Sequence, residues 1–528
     1  MLLPIVPYPQ EVSVEKGSFR VSGANFNCDN DINREALKQI EVFAEHLSLV
    51  CDKRSTVAKS IGLQSSAESG KIKGFVFLMD SSIPAEGYCI KVSGNSALVK
   101  ASDSNGFLYA IQTIKQLLPV DIYGNTPNYK ARWALPCCTI KDSPRFAYRG
   151  MHLDVSRHFR SVDEVKRYID VMAAYKLNRL HWHLTDDQGW RIEIRKYPRL
   201  TEIGAFRKGT AVKKDFSTHD GIRYGGFYTQ EQVREVIEYA SQRGITIIPE
   251  IDLPGHMLAA LASYPELGCS GGPYEVWTRW GVASQVLCPG KENTLKFLED
   301  VLGEVADLFP SEYIHIGGDE CPKDEWKNCP LCQAKIAELG LKGDAAATAE
   351  QRLQNYVTYR MQKFLESKGK KIIGWDEILE GELSEGATVM SWRGTKGGIK
   401  AAKMGFDVIM TPTDYCYFDF YQLKDKEAQP FGIGGYLPIS KVYSFDPYAG
   451  LNQEQQKHIL GVQSNLWTEY ISSDSHLEYM LLPRMLALCE VQWCSEENRD
   501  YDRFLNVLKS HEFTVLDRMG YNYCKELE

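Results

Sequence analysis

Along the first 143 residues the apolar positions follow two spacings. Residues 34–50 and 106–118 repeat apolar side chains three and four apart, the period of a helix with one buried face. Residues 88–93 and 97–101 are short strand-like runs on either side of Gly94-Asn95-Ser96, which predicts a hairpin. The segment stops at Lys141-Asp142-Ser143-Pro144. Residues 1–143 are therefore expected to form a small α+β domain without visible chemistry. From Ala147 onward strand-like runs alternate with helical ones, as a parallel sheet requires when each crossover returns the chain to the same end. The strand candidates are 148–155, 179–184, 245–251, 313–316, 371–375, 388–392, 406–410 and 459–466. Ser161 with Glu164 and Thr229 with Gln232 have capping-box spacing and mark two of the intervening helix starts. Eight such units fit a (β/α)8 TIM barrel over 144–528 better than an open doubly wound sheet, and no Gly-x-Gly-x-x-Gly follows the first strand to suggest a dinucleotide fold.

Composition narrows the function classes. With 44% hydrophobic and 25% charged residues among 528, the chain can fill two cores. A net charge of -8 and the lack of a long lysine or arginine run argue against nucleic acid as a partner. No run approaches the roughly 18 apolar residues of a membrane span, so a soluble polypeptide is expected. Met1-Leu2-Leu3-Pro4-Ile5-Val6-Pro7 has neither a basic leader nor a long apolar segment and is not a complete signal peptide. The location is read as cytoplasmic, or as periplasmic or secreted where an export signal has been removed. The fourteen cysteines are too sparse for a disulfide scaffold, but Cys321, Cys329 and Cys332 cluster, the last two in Cys329-Pro330-Leu331-Cys332. These are three ligands where a structural zinc usually takes four, and zinc, free thiols and a loop disulfide all stay open.

In a barrel of this kind the chemistry sits where strands end. The eight ends read Asp154-Val155-Ser156-Arg157-His158, His181-Trp182-His183-Leu184-Thr185-Asp186-Asp187, Pro249-Glu250-Ile251-Asp252-Leu253-Pro254-Gly255-His256, Gly317-Gly318-Asp319-Glu320, Trp375-Asp376-Glu377, Trp392-Arg393, Tyr415-Cys416-Tyr417-Phe418-Asp419 and Trp467-Thr468-Glu469. Acids and indoles converge on one rim. Carboxylates accept hydrogen bonds from hydroxyls and aromatic faces cover the apolar patches of a pyranose, so the composition suits a sugar. Asp319-Glu320 is the sharpest feature: the glycines before it permit close backbone approach, and two adjacent acids tend to keep one protonated, as a general acid must be.

On these residues the chain resembles the family 20 glycoside hydrolases, the β-N-acetylhexosaminidases, over both its parts. The motifs are His-x-Gly-Gly-Asp-Glu at 315–320, Asp-x-Pro-Gly-His at 252–256, His-x-His-x-x-Asp-Asp-Gln at 181–188 and Leu-Trp-x-Glu at 466–469. The resemblance implies an exo-acting, retaining, substrate-assisted enzyme without cofactor or catalytic metal, acting on glycans with a terminal β-linked N-acetylglucosamine or N-acetylgalactosamine. It implies that Asp319 orients the substrate acetamide and that Glu320 is the general acid and base. Tyr417 matches the tyrosine that hydrogen-bonds the acetamide oxygen, and Trp375, Trp392 and Trp467 match the box around the acetyl methyl. Arg157, Asp419 and Glu469 match the groups that bind ring hydroxyls, and Asp186 with His256 matches a supporting pair that sets the proton affinity of Glu320. Arg157 is preferred to Arg149, which begins the first strand and so belongs to the opposite barrel face. Asp186 is preferred to its neighbour Asp187.

His181 and His183 are expected to support Asp186 and His256; a metal-binding reading would place such a pair on the first strand. Competing readings are a retaining barrel glycosidase with a protein carboxylate nucleophile, a zinc-dependent amidohydrolase and an inactive carbohydrate-binding protein. Tyr274, Trp277 and Trp280 suit a leaving-sugar subsite or loop packing. A homodimer is compatible with the sequence.

Overall fold

The computed structural model describes residues 3–63, 72–381, 383 and 385–528. Met1 and Leu2, the first residues of the opening stretch read above, lie outside them. The first part is a mixed seven-stranded sheet in the spatial order Glu11–Arg20, Ala134–Asp142, Tyr88–Val92, Ser96–Ala101, Gly74–Met79, Phe26–Asp29 and Val57–Ser60. The predicted hairpin pairs antiparallel from Tyr88 with Ala101 to Val92 with Ala97. Helices Arg34–Cys51 and Ser104–Leu117 cover the sheet, capped by Asn33 and Asp103, whose side chains accept from the amides of Ala36 and Gly106 at 2.9 and 2.8 Å. Phe26, Phe43, Phe75 and Phe77 interlock beneath them, with Phe26 stacked on Phe75 at 4.5 Å.

The second part is a closed barrel of eight parallel strands, Tyr148–Asp154, Arg179–His183, Thr246–Glu250, Tyr313–His315, Lys371–Trp375, Thr388–Ser391, Val408–Met410 and Ile459–Ser464. All eight fall within the predicted runs. They are near-continuous apolar stretches because helices cover their outer faces while side chains fill the interior. The last strand closes on the first, with Gly461 to Ser464 opposite Tyr148 to Met151. The capping boxes at Ser161 and Thr229 are formed at the starts of helices Val162–Ala174 and Gln230–Ser241.

The first domain packs on the bottom of the barrel through buried ions. Arg149 donates to Glu86 at 2.8 Å and to the Tyr109 hydroxyl at 2.9 Å. Lys176 donates to the Tyr88 hydroxyl at 2.7 Å and to Asp142 at 3.2 Å, and Asp142 also accepts from the Trp493 indole at 2.8 Å. Arg149 thus points away from the rim, as its place at the start of a strand leads one to expect. Among the described residues no helix is long and apolar enough to cross a membrane.

Candidate active site

Behind the fourth barrel strand, Gly317 and Gly318 take φ of 65° and 103° and turn the chain onto the rim. A side chain at Gly317 is excluded: a Cβ there would lie 1.7 Å from Asp252 Oδ1. The close approach expected of the glycine pair is therefore to the Asp252 carboxylate, which also faces the Gly318 amide at 3.3 Å. The turn delivers Asp319 into the interior and leaves the Glu320 side chain half-exposed. Glu320, at φ 45°, and His256, at φ 51°, hold the left-handed conformation that non-glycine residues rarely adopt, a strain that persists only where surrounding contacts over-determine it.

His256 joins the two acids to a layer behind them. Its Nε2 lies 3.6 Å from Asp319 Oδ2 and 3.7 Å from Glu320 Oε2, and its Nδ1 3.1 Å from Asp186 Oδ1 and 3.6 Å from Asp187 Oδ2. Burial opposes the imidazolium, but the Asp186, Asp252 and Asp319 carboxylates outweigh it and hold His256 well above its usual range. Burial, and then the charge of Asp319, raises the Glu320 carboxyl. Burial also raises Asp319 against the pull of His256.

Asp186 links Arg157 at 2.9 Å, His183 at 2.8 Å and His256; against burial, these cations hold it well below the carboxylate range. Asp187 instead accepts from the amides of Leu258 and Ala283 at 3.0 and 3.1 Å, and burial and the Asp186 charge push it up to about 6.

A buried acid that the sequence reading passed over, Glu250 at the end of the third strand, organises the floor. His181 Nε2 and His315 Nδ1 lie 2.9 and 3.0 Å from it, the Trp375 indole donates to it at 2.9 Å, and His183 Nδ1 is hydrogen-bonded to it. Of the two histidines expected behind Asp186, only His183 touches it; His181 turns to Glu250 while its Nδ1 accepts from Gln463 at 3.0 Å. Burial opposes charge on His183, yet Glu250 and Asp186 push it up to about 10. The signal for Glu250 was an acid on an otherwise apolar strand, since a fully buried carboxylate needs partners.

The indoles stand above this floor. Trp375 and Trp467 lie 5.9 Å apart, Trp392 stacks on Tyr417 at 6.2 Å, and Arg157 sits over Trp467 at 5.1 Å. Arg157 is fixed by Gln188 at 2.9 Å, Asp154 at 3.1 Å and Asp186, which leaves two of its five N–H groups uncommitted. The Trp392 indole donates to Glu377 at 3.0 Å; burial and the nearby Asp319 push that carboxyl up to about 8, a second acid that the strand ends contain but that the reading did not single out. Burial and Asp419 hold the Tyr417 phenol well above its usual range, so it is a hydrogen-bond donor.

Four buried carboxylate oxygens on this rim, Asp252 Oδ2, Asp319 Oδ1, Asp419 Oδ1 and Glu469 Oε2, have no protein hydrogen-bond partner. Burial raises the last two acids, reinforced at Asp419 by Glu469 and opposed at Glu469 by Arg157. Of the neighbouring loop, Trp280 is buried against Arg207 and His158, which is packing, while Trp277 stays half-buried. Cys321 stands apart from the other cysteines of its motif, its thiol 3.7 Å from the Pro322 carbonyl; Cys269 and Cys288 from the preceding loop join Cys329 and Cys332 instead.

A family model described as glycosyl hydrolase family 20, catalytic domain, matches residues 146–496, and one described as glycosyl hydrolase family 20, domain 2, matches residues 2–143. A β-hexosaminidase of Porphyromonas gingivalis is 42% identical over 98% of the chain, which spans only 64% of that relative's length. Among solved structures, the family 20 β-N-acetylhexosaminidase of Streptomyces coelicolor superposes with a TM-score of 0.84 at 32% identity, covering 100% of this chain and 98% of that one. The exo-β-N-acetylglucosaminidase of Vibrio harveyi, solved with N-acetylglucosamine, gives 0.84 at 34% identity, covering 99% of this chain and 78% of that one.

Proposed function

Because the chain belongs to glycosyl hydrolase family 20, we propose that it is an exo-β-N-acetylhexosaminidase that releases terminal non-reducing N-acetylglucosamine or N-acetylgalactosamine from glycans by substrate-assisted catalysis. The observation that carries this reading is the buried, unpartnered Asp319 Oδ1 beside a half-exposed Glu320 whose carboxyl is raised. Buried acceptors are normally satisfied, and an amide N–H of the substrate supplies the missing donor. So held, the acetamide carbonyl oxygen attacks the anomeric carbon as the glycosidic C–O bond breaks and Glu320 protonates the leaving oxygen. An oxazolinium forms, its positive nitrogen facing the Asp319 carboxylate. Glu320 then takes a proton from the water that opens the ring at the anomeric carbon, and the β configuration is retained.

The advantage is geometric and electrostatic. A nucleophile carried by the substrate needs no second encounter, and the carboxylate is in place before charge develops. Trp375, Trp392 and Trp467 enclose the acetyl methyl, and Tyr417 donates to its oxygen. Asp419, Glu469 and the two free N–H groups of Arg157 take the ring hydroxyls. His256 and Asp186 are positioning residues that set how readily Glu320 gives up its proton.

The test compares aryl glycosides of N-acetylglucosamine and glucose with the same leaving group, reading the first-formed anomer by NMR. The proposal expects cleavage of the acetamido substrate alone, with β product first. Equal cleavage of the glucoside, or an α product, overturns it.

A further inference from the structure

We propose that Cys269, Cys288, Cys329 and Cys332 form a structural zinc site that ties together the two loops flanking the acid pair. The four sulfurs all lie within 4.8 Å of one another. Cys288 is 3.5 Å from Cys332 and 3.7 Å from Cys329, and Cys269 is 3.9 Å from Cys332. A tetrahedral site with Zn–S bonds of about 2.3 Å places its sulfurs about 3.8 Å apart, so these thiols already stand near the corners of such a site. Two disulfides would instead draw the sulfurs together in pairs to about 2.05 Å and leave the pairs unrelated.

The ligands come in two pairs. Cys269 and Cys288 flank the antiparallel bridge between Gly268 and Leu287, with the Cys288 amide donating to Leu267 at 2.9 Å. Cys329 caps helix Pro330–Glu338, and Cys332 lies in its first turn. Gly290 locks the pairs together: a Cβ there would meet the Leu331 carbonyl carbon at 2.3 Å and the Cys332 amide nitrogen at 2.5 Å.

Four thiolates around one zinc carry a net charge of -2, which the N-terminus of helix Pro330–Glu338 offsets. The cluster is enclosed by Val286, Trp326, Ile336 and Leu353, so the metal would be fully coordinated and shielded, with no open position for chemistry. Binding Zn2+ releases the thiol protons to solvent and involves no oxidation. One pair follows the loop that carries Asp252 and His256, and the other follows Glu320 by nine and twelve positions, so the metal would fix the wall beside the general acid.

The test is metal analysis and zinc K-edge absorption on the intact chain, purified without chelator from zinc-replete culture. About one zinc per chain in a four-sulfur shell at about 2.3 Å is expected. Cys288→Ser should lose most of the zinc and melt at lower temperature, while Cys321→Ser keeps the full complement. Wild-type protein with no zinc, zinc in a nitrogen or oxygen shell, stoichiometric iron, or a disulfide among the four cysteines by mass spectrometry overturns the proposal.

Discussion

Both ends of the barrel bury charge, and they treat it in opposite ways. At the bottom, Arg149 donates to Glu86, Tyr109 and the carbonyls of Phe146 and Lys176, and Lys176 donates to Tyr88 and Asp142, which joins the two domains. At the rim, Asp252, Asp319, Asp419 and Glu469 each keep an oxygen without a protein donor. Such an oxygen costs about 1–3 kcal/mol, so four on one surface are retained against stability. Paired ions join the domains, while the rim oxygens stay open, as the proposed function requires of groups that meet a ligand's donors.

Substitutions at the two ends should therefore separate activity from stability. The largest effect is expected at Glu320→Gln, with kcat/KM on poor leaving groups falling about 10²–10⁴-fold and recovering with an activated aryl leaving group. Asp319→Asn should cost about 10²–10³-fold without lowering the melting temperature, because a buried charge has been removed from a crowded acid cluster. At the bottom, Lys176→Met should do the reverse: about 3–5 kcal/mol lost in denaturant unfolding, with kcat/KM of the folded enzyme unchanged. Loss of activity in Lys176→Met, or loss of stability in Asp319→Asn, breaks the contrast.

Gly317→Ala should fall between the two classes. Its Cβ displaces Asp252, and strain of about 1–3 kcal/mol should appear in unfolding together with reduced kcat. The smallest effect concerns pH. Glu320 must be protonated to act as an acid, and its raised carboxyl sets a basic limb above the ordinary glutamate range, with kcat/KM falling as pH rises through it. Because the Asp319 charge contributes to that shift, residual activity of Asp319→Asn should show the limb moved to lower pH.

Much of this was legible in the sequence for identifiable reasons. The barrel strands are buried on both faces and read as apolar runs, and the strand ends contain Arg157, Asp186, His256, Trp375, Trp392, Tyr417, Asp419, Trp467 and Glu469 with the acid pair, although only the family resemblance singles them out from their neighbours there. Glu250 was not legible as a hub, because its partners His181, His183, His315 and Trp375 come from three other strands. The cysteines were grouped by local proximity alone. Cys321 is near Cys329 in sequence, but its thiol faces the Pro322 carbonyl, while Cys269 and Cys288 arrive from a distant loop folded back by the Gly268–Leu287 bridge.

The most direct measurement is a crystal structure of the enzyme with N-acetylglucosamine-thiazoline, a stable mimic of the oxazolinium. The account predicts the ring nitrogen about 2.7–3.2 Å from Asp319 Oδ1, with hydroxyls on Asp419 and Glu469. A ring nitrogen pointing away from Asp319, with those three oxygens still lacking donors, would contradict it.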